Sequence, residues 1–143
     1  MTAVHISDLA LNFTGATTVR ALDGVDLDVA AGSSVAIVGE SGSGKSTLAA
    51  VIGRLQPGSA RIVRGALEVD GIDVLGLDDD TLRAYRRDTL AYIAQDPIGS
   101  LDPTMRIGAQ LKLVLRAVGD DGSPRRQVEL LESMQIADPA RVV

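Results

Sequence analysis

Residues 39–46 read Gly-Glu-Ser-Gly-Ser-Gly-Lys-Ser, the spacing G-x-x-x-x-G-K-[ST]. Few backbones accommodate glycines at 39, 42 and 44 followed at once by a cationic side chain and two hydroxyls. Glycine tolerates the tight curl that turns successive N–H groups inward, making a nest for phosphate oxygens. The flanks agree. Val35-Ala36-Ile37-Val38 is a continuous apolar run of the kind found in a strand covered on both faces. Lys45 to Ile52 reads as a helix. Strand, glycine-rich turn and helix open an α/β unit whose helix N-terminus faces the anion. Gly39, Ser41, Gly42, Ser43 and Gly44 are expected to form the cradle, and Lys45 to bring charge to the outer phosphates. The Ser46 hydroxyl suits Mg2+, with Thr47 adding a second hydroxyl nearby. An accidental glycine-rich turn, the bland alternative, would not need the strand before it or the helix after it.

Composition narrows the rest. The 143 residues suit one domain, and 45% hydrophobic with 23% charged residues argues against disorder. Lys+Arg number 14 against 19 Asp+Glu, a net charge of −5, so no nucleic-acid partner is expected. Absence of cysteine excludes thiolate chemistry, and a single histidine, His5, argues against a histidine triad or metal cluster. No apolar run approaches the roughly 18 residues needed to cross a bilayer. The N-terminus lacks the basic start and apolar stretch of a secretory signal, so a cytoplasmic location is the default.

Two alternating stretches precede the loop. One runs through Val4, Ile6, Leu9, Leu11 and Phe13 with a slip between Ile6 and Leu9, the other through Val25, Leu27 and Val29 to Gly32. Both predict antiparallel strands. Gly53 to Gly65 reads as a loop, then Ala66–Val69 as a strand with an Asp70-Gly71 turn and a return at Ile72 and Val74. Asp78-Asp79-Asp80 supply caps for a short helix through Arg87, and Leu90–Ala94 reads as another strand. Pro97, Gly99 and Pro103 keep the next segment irregular. Ile107, Leu111, Val114, Leu115 and Val118 form the stripe of an amphipathic helix, and Ser123-Pro124 starts a last helix through about Gln135. Tyr85 and Tyr92 are read as packing residues, and His5 as a surface or strand-packing residue.

A guanine-specific protein needs an Asn-Lys-x-Asp element, and the single asparagine, Asn12, is followed by Phe13. The loose D-x-x-G match at Asp73–Gly76 carries little weight, and small-molecule kinases usually open with the P-loop strand. The extra strands, the segment VAIVGESGSGKST from Val35 to Thr47, and the segment AYIAQDPIGSLDPT from Ala91 to Thr104 together resemble the ATP-binding subunits of ABC transporters. The second segment looks like the Q-loop of the oligopeptide, dipeptide and nickel importer group.

That resemblance spans nearly the whole chain. It implies a partial P-loop NTPase (RecA-like) ABC ATPase core of α/β class with an N-terminal antiparallel β subdomain over residues 1–103. It also implies the start of the helical subdomain over residues 104–143. The ligands implied are ATP and Mg2+. Phe13 takes the place of the aromatic that stacks on adenine, against which stands a plain strand-end core residue. Gln95 takes the place of the glutamine that contacts Mg2+ and the attacking water, against which stands a polar strand terminator. Lys45 and Gln95 are the catalytic candidates. Residues near 96–104 and the following helix would meet the membrane subunits, a second ATP-binding subunit would complete the sites, and an extracytoplasmic solute-binding protein would act indirectly. The location implied is peripheral, on the inner face of the cell membrane.

Other elements of that family are missing from these residues. No L-S-G-G-Q-like signature follows residue 104, no four-residue apolar run ends in Asp-Glu, and His5 lies at the wrong end to be a switch histidine. The chain therefore reads as the N-terminal half of such an ATPase, with little hydrolysis expected of it alone. A sheet edge and apolar surface are expected to be exposed. Two other readings remain: a truncated, non-catalytic nucleotide-binding or subunit-sequestering protein, and a soluble ABC ATPase without a transporter.

Overall fold

The computed structural model describes residues 1–96 and 99–143, in two compact units, Met1–Arg83 and Ala84–Val143. Pro97 and Ile98, part of the importer-like segment and of its expected irregular stretch, lie outside the described residues.

The first unit is built on an antiparallel sheet. Strands β1 (Thr2–Phe13), β2 (Val19–Ala30), β3 (Ala60–Val69) and β4 (Ile72–Asp73) stand in the order β2-β1-β3-β4. Central β1 buries Ile6, Leu9 and Leu11, with Leu67 and Val69 of β3 beside them. The slip in the alternation is a bulge. Register shifts fall between Ile6 and Leu9 against β2 and between Ser7 and Ala10 against β3, with Asp8 at φ +45°. An extra residue in one strand returns Leu9 to the core after Asp8 leaves the pleat. Polar groups hold the bulge: Asp8 N–H donates to Asp26 Oδ1 (2.8 Å) and Arg64 Nε donates to Asp8 Oδ2 (2.9 Å). On β3, Gly65 at φ +107° passes so close that a Cβ would lie 2.5 Å from Leu9 Cα.

Helix α1 (Lys45–Ile52) buries Leu48 and Val51. It ends with Arg54 at φ +49°, where Leu55 N–H donates to Ala50 O and Arg54 N–H to Val51 O. That double closure satisfies the last carbonyls of the helix. Helix α2 (Asp79–Asp88) begins at Asp78, whose Oδ1 accepts from Thr81 N–H (2.9 Å), as the acidic run predicts. In the second unit, α3 (Ile107–Ala117) and α4 (Pro124–Ser133) are followed by a short 3-10 turn at Pro139–Arg141. Ser123 caps α4 by accepting from Arg126 N–H, and Pro124 opens it. Gln127 is buried and donates to Gly122 O (2.9 Å).

Five sequence expectations are corrected here. Val35–Val38 forms no strand and is exposed, as is Leu90–Ala94 over most of its length. A continuous apolar strand needs hydrogen-bonding neighbours on both sides, and no described residue supplies them. Tyr85 is buried, but Tyr92 is exposed with its segment rather than packed. The stretch from Gly53 to Gly65 is loop only to Ser59, because β3 starts at Ala60 and pairs Ala60 with Phe13. On α3, Leu115 is buried while Val114 and Val118 of the same stripe are exposed, so only part of that face finds a partner. His5 sits on the surface, its Nδ1 2.6 Å from Asp28 Oδ1.

Candidate functional site

The loop from Gly39 to Gly44 runs directly into α1, and its shape is set from β2. Gly44, the residue before the helix, has φ +90°, and a Cβ there would lie 2.6 Å from Ala21 O and 3.0 Å from Leu22 Cδ2. Only glycine permits both that torsion and that approach. Gly42 also has positive φ, at +83°, but nothing lies within 4 Å of where its Cβ would be. The two glycines therefore serve different purposes, one to turn the chain and one to seat the helix against the sheet.

Lys45 folds back over the curl. Its Nζ donates to Gly39 O (2.9 Å), Glu40 O (2.6 Å) and Ser43 Oγ (3.2 Å). The cation is thus gathered with the loop rather than extended into solvent. At the start of α1 the N–H groups of Lys45, Ser46 and Thr47 have no acceptor among the described residues, no side chain caps them, and no acid stands in the first turn. Three unused donors, the positive end of a helix and an ammonium on one short loop make a donor set suited to an anion. Ser41, Ser43 and Ser46 are exposed and Thr47 half-buried. A hollow of about 320 Å³ adjoins the loop, with Leu22, Val25, Ile37, Val38 and Leu48 as its apolar wall and Gly39, Ser43, Gly44 and Lys45 at the polar end. The residues fit a phosphate group. Among the described residues no cluster of three His, Cys, Asp or Glu could hold a metal by itself, so a divalent ion here would take its ligands from Ser46 and phosphate together.

Phe13 is half-buried at the end of β1, paired with Val19 and Ala60. It lies two residues beyond Leu11, which pairs with the Leu22 that Gly44 approaches, and a register shift falls between Leu11 and Asn12.

Gln95 belongs to the second unit and is exposed in the segment without regular structure. The residues after it serve their own loop. Asp96 Oδ1 accepts from Gly99 N–H (3.1 Å), and Ser100 Oγ donates to Asp96 O (3.1 Å). Asp102 Oδ1 accepts from Thr104 Oγ1 (2.7 Å) and Thr104 N–H (2.8 Å), which holds its carboxyl below the usual range. Gln110, which sequence reasoning passed over, clamps this loop. Its Oε1 accepts from Asp102 N–H (2.9 Å) while its Nε2 donates to Asp102 O (2.9 Å) and Met105 O (3.0 Å). The one sequence signal for it is an amide placed on the apolar side of α3, between Ile107 and Leu111.

The loop and the helix it enters make an anion-suited donor set beside an antiparallel sheet, and comparison with known proteins gives the family. The family model described as ABC transporter matches residues 22–143, so the chain belongs to the ABC transporter ATP-binding family. It is 41% identical over 145 residues to the probable D,D-dipeptide transport ATP-binding protein DdpD of Escherichia coli K12, covering 98% of this chain and 44% of that protein. It is 36% identical to the oligopeptide transport ATP-binding protein OppD of Bacillus subtilis 168, covering 98% and 40%. The chain thus spans less than half of these relatives. The dimeric bacterial ABC transporter cassette MJ0796 matches with a TM-score of 0.73 at 28% identity, over 92% of this chain and 56% of that one. The same cassette in a post-hydrolysis state with ADP and Pi gives 0.71. The architecture is accordingly that of a partial α/β ABC ATPase core.

Proposed function

We propose that this chain is the nucleotide-binding part of the energy-coupling subunit of an ABC importer for peptides or similar small solutes, and that it binds Mg-ATP at residues 39–47. The observation that carries the proposal is the seating of Gly44 on β2, which leaves the first N–H groups of α1 unspent beside the Lys45 ammonium. Support for the importer group comes from DdpD and OppD, whose names give D,D-dipeptide and oligopeptide transport.

In this reading Gly39, Ser41, Gly42, Ser43 and Gly44 hold the phosphates through main-chain N–H groups. Lys45 leaves its carbonyl partners to neutralise the outer phosphates, the Ser46 hydroxyl joins the Mg2+ shell, and Thr47 adds a donor at the helix start. Mg2+ supplies charge neutralisation of the phosphate oxygens. Phe13 stacks on the adenine, and Gln95, as a positioning amide, offers an oxygen to the ion and donors to water. Residues 1–103 then form the β subdomain and ATP core, and 104–143 the start of the helical subdomain. Residues near 96–104 and α3 meet membrane subunits, a second ATP-binding subunit shares the nucleotide, and a solute-binding protein acts indirectly from outside. The protein would lie on the inner membrane face; no helix among the described residues is long and apolar enough to cross a bilayer.

Phosphoryl transfer needs a positioned water and an acid to hold the ion, and no Asp-Glu-terminated apolar run is present. These residues alone should bind ATP but turn it over near background. Equilibrium titration with a fluorescent ATP analogue tests the assignment. Lys45→Ala should weaken Mg-ATP by about 100-fold, the worth of one or two charge-assisted hydrogen bonds. Phe13→Ala should weaken ATP more than inorganic triphosphate. Unchanged affinity in Lys45→Ala removes the phosphate assignment, and equal losses for both ligands in Phe13→Ala remove the stacking.

A further inference from the structure

A ring that stacks on a base is best held in place before the base arrives, because ordering it afterwards costs affinity. Phe13 is the last residue of β1 and only half-buried, and strand ends open most readily. Beyond it, residues 15–18 are exposed and, among the described residues, make no hydrogen bond on their way to β2. Thr14, between the two, is different. Its N–H donates to Ser59 O (2.8 Å), and its Oγ1 donates to the same oxygen (2.9 Å). The ladder that pairs Phe13 with Ala60 is thus carried one residue past both strands and closed by a doubled bond. The acceptor is itself held. Ala60 N–H donates to Pro57 O (2.8 Å), closing the turn that contains Ser59, and Arg61 Nη1 donates to Gly58 O and to Ala60 O (3.1 Å). All of these residues lie in the first unit.

We propose that Thr14, fastened to Ser59, is the positioning residue that holds Phe13 ready for the adenine ring. The inference rests on the stacking proposed above for Phe13 and adds to it the group that keeps the ring in place. The end of β1 does not need a hydroxyl, because the Thr14 N–H alone gives Ser59 O a partner. A carbonyl oxygen has two lone pairs, and the Thr14 side chain takes the second. That second bond resists the parting of Thr14 from Ser59, on the side of Phe13 where the loop offers no other tie. Neither bond reaches a residue of the 39–47 loop, so the effect of Thr14 falls on the base and spares the phosphates.

Two substitutions separate the hydroxyl from the rest of the side chain. Thr14→Val keeps the branched shape and the N–H but loses the hydroxyl, whereas Thr14→Ser keeps it. Calorimetric titration with ATP and with inorganic triphosphate, each with Mg2+, is run on the parent chain, both variants, Phe13→Ala and the double variant Phe13→Ala/Thr14→Val. Thr14→Val should weaken ATP about three- to tenfold, the worth of one neutral hydrogen bond, and leave triphosphate unchanged. Thr14→Ser should bind ATP as the parent does. In the Phe13→Ala background, Thr14→Val should cost ATP nothing further, because no ring is left to position. A hydroxyl that merely tightens the fold would weaken both ligands alike, with or without the ring. The inference is overturned if Thr14→Val binds ATP as tightly as the parent, or weakens triphosphate as much as ATP. It is also overturned if Thr14→Ser loses as much as Thr14→Val, or if the loss persists without the Phe13 ring. Each of those results leaves the stacking standing where Phe13→Ala still weakens ATP more than triphosphate. Equal losses of the two ligands in Phe13→Ala remove the stacking and this role for Thr14 with it.

Discussion

Replacing Gly44 by alanine separates the two reasons a glycine is placed in the loop from Gly39 to Gly44. At φ +90° any L side chain costs about 1–2 kcal/mol in strain. Gly44→Ala adds a collision, because the new Cβ would stand 2.6 Å from Ala21 O, a main-chain atom that cannot rotate away. Relief requires α1 to lift from β2, and overpacking of that kind costs a further ~1–3 kcal/mol. Gly42→Ala is the internal control. Its φ of +83° brings similar strain, but no atom lies within 4 Å of the added carbon. The expected destabilisation is therefore about 2–5 kcal/mol for Gly44→Ala and about 1–2 kcal/mol for Gly42→Ala. Hydrogen exchange of the β1–β2 ladder under native conditions reads this in the unit that holds both glycines. The Mg-ATP titration should follow, with Gly44→Ala losing more affinity because the lifted helix no longer aims its first N–H groups at the loop. Equal destabilisation of the two variants would refute the claim that β2 seats the cradle.

Smaller perturbations test the remaining structure. The Asp28 carboxylate accepts from His5 and raises its pKa, so the folded chain holds that proton more tightly than the unfolded chain does. The pair therefore stabilises fully below the unfolded value of about 6.5 and loses its effect as pH rises through the higher folded value, so His5→Gln should flatten the change of melting temperature over that window. Ser123→Ala should cost about 1 kcal/mol at the start of α4, with Ser123→Asn restoring most of it in urea denaturation. Gln110→Ala removes three hydrogen bonds to the main chain of Asp102 and Met105, so the Asp102 amide should exchange at least tenfold faster while α3 amides keep their protection.

Elements that depend on neighbours near in sequence were legible. The Lys45–Ile52 helix, the Asp70-Gly71 turn, the acidic start of α2 and the Ser123-Pro124 cap each rest on chemistry within a few residues, and each stands where the pattern places it. The skip between Ile6 and Leu9 was legible as a slip, but not as a bulge. Its meaning depends on Asp26, Arg64 and Gly65 arriving from two other strands. Beginning β3 at Ala60 was hidden for the same reason, since Pro57-Gly58 reads as loop and only pairing with Phe13 makes Ala60 a strand residue. Val35–Val38 and Leu90–Ala94 failed in the opposite direction. Their pattern reports a buried environment, and hydrophobicity alone cannot form a strand whose hydrogen-bonding neighbours are not supplied. In the site, the glycine spacing was legible, whereas the dependence of Gly44 on Ala21 and of Asp102 on Gln110 is a tertiary fact.

The contrast between an ordered cradle and an unformed strand in front of it has a physical explanation. The loop is anchored from its C-terminal side: Leu48 and Val51 are buried, Gly44 rests on β2, and the Lys45 ammonium draws in the carbonyls of Gly39 and Glu40. None of these contacts needs Val35–Val38 to be in a sheet. Burial of Leu48 and Val51 anchors the helix, whereas Val35–Val38 has neither buried side chains nor ladder partners for its backbone N–H and C=O groups. The geometry of the Gly39–Gly44 loop is therefore set by α1 and β2 and does not depend on Val35–Val38.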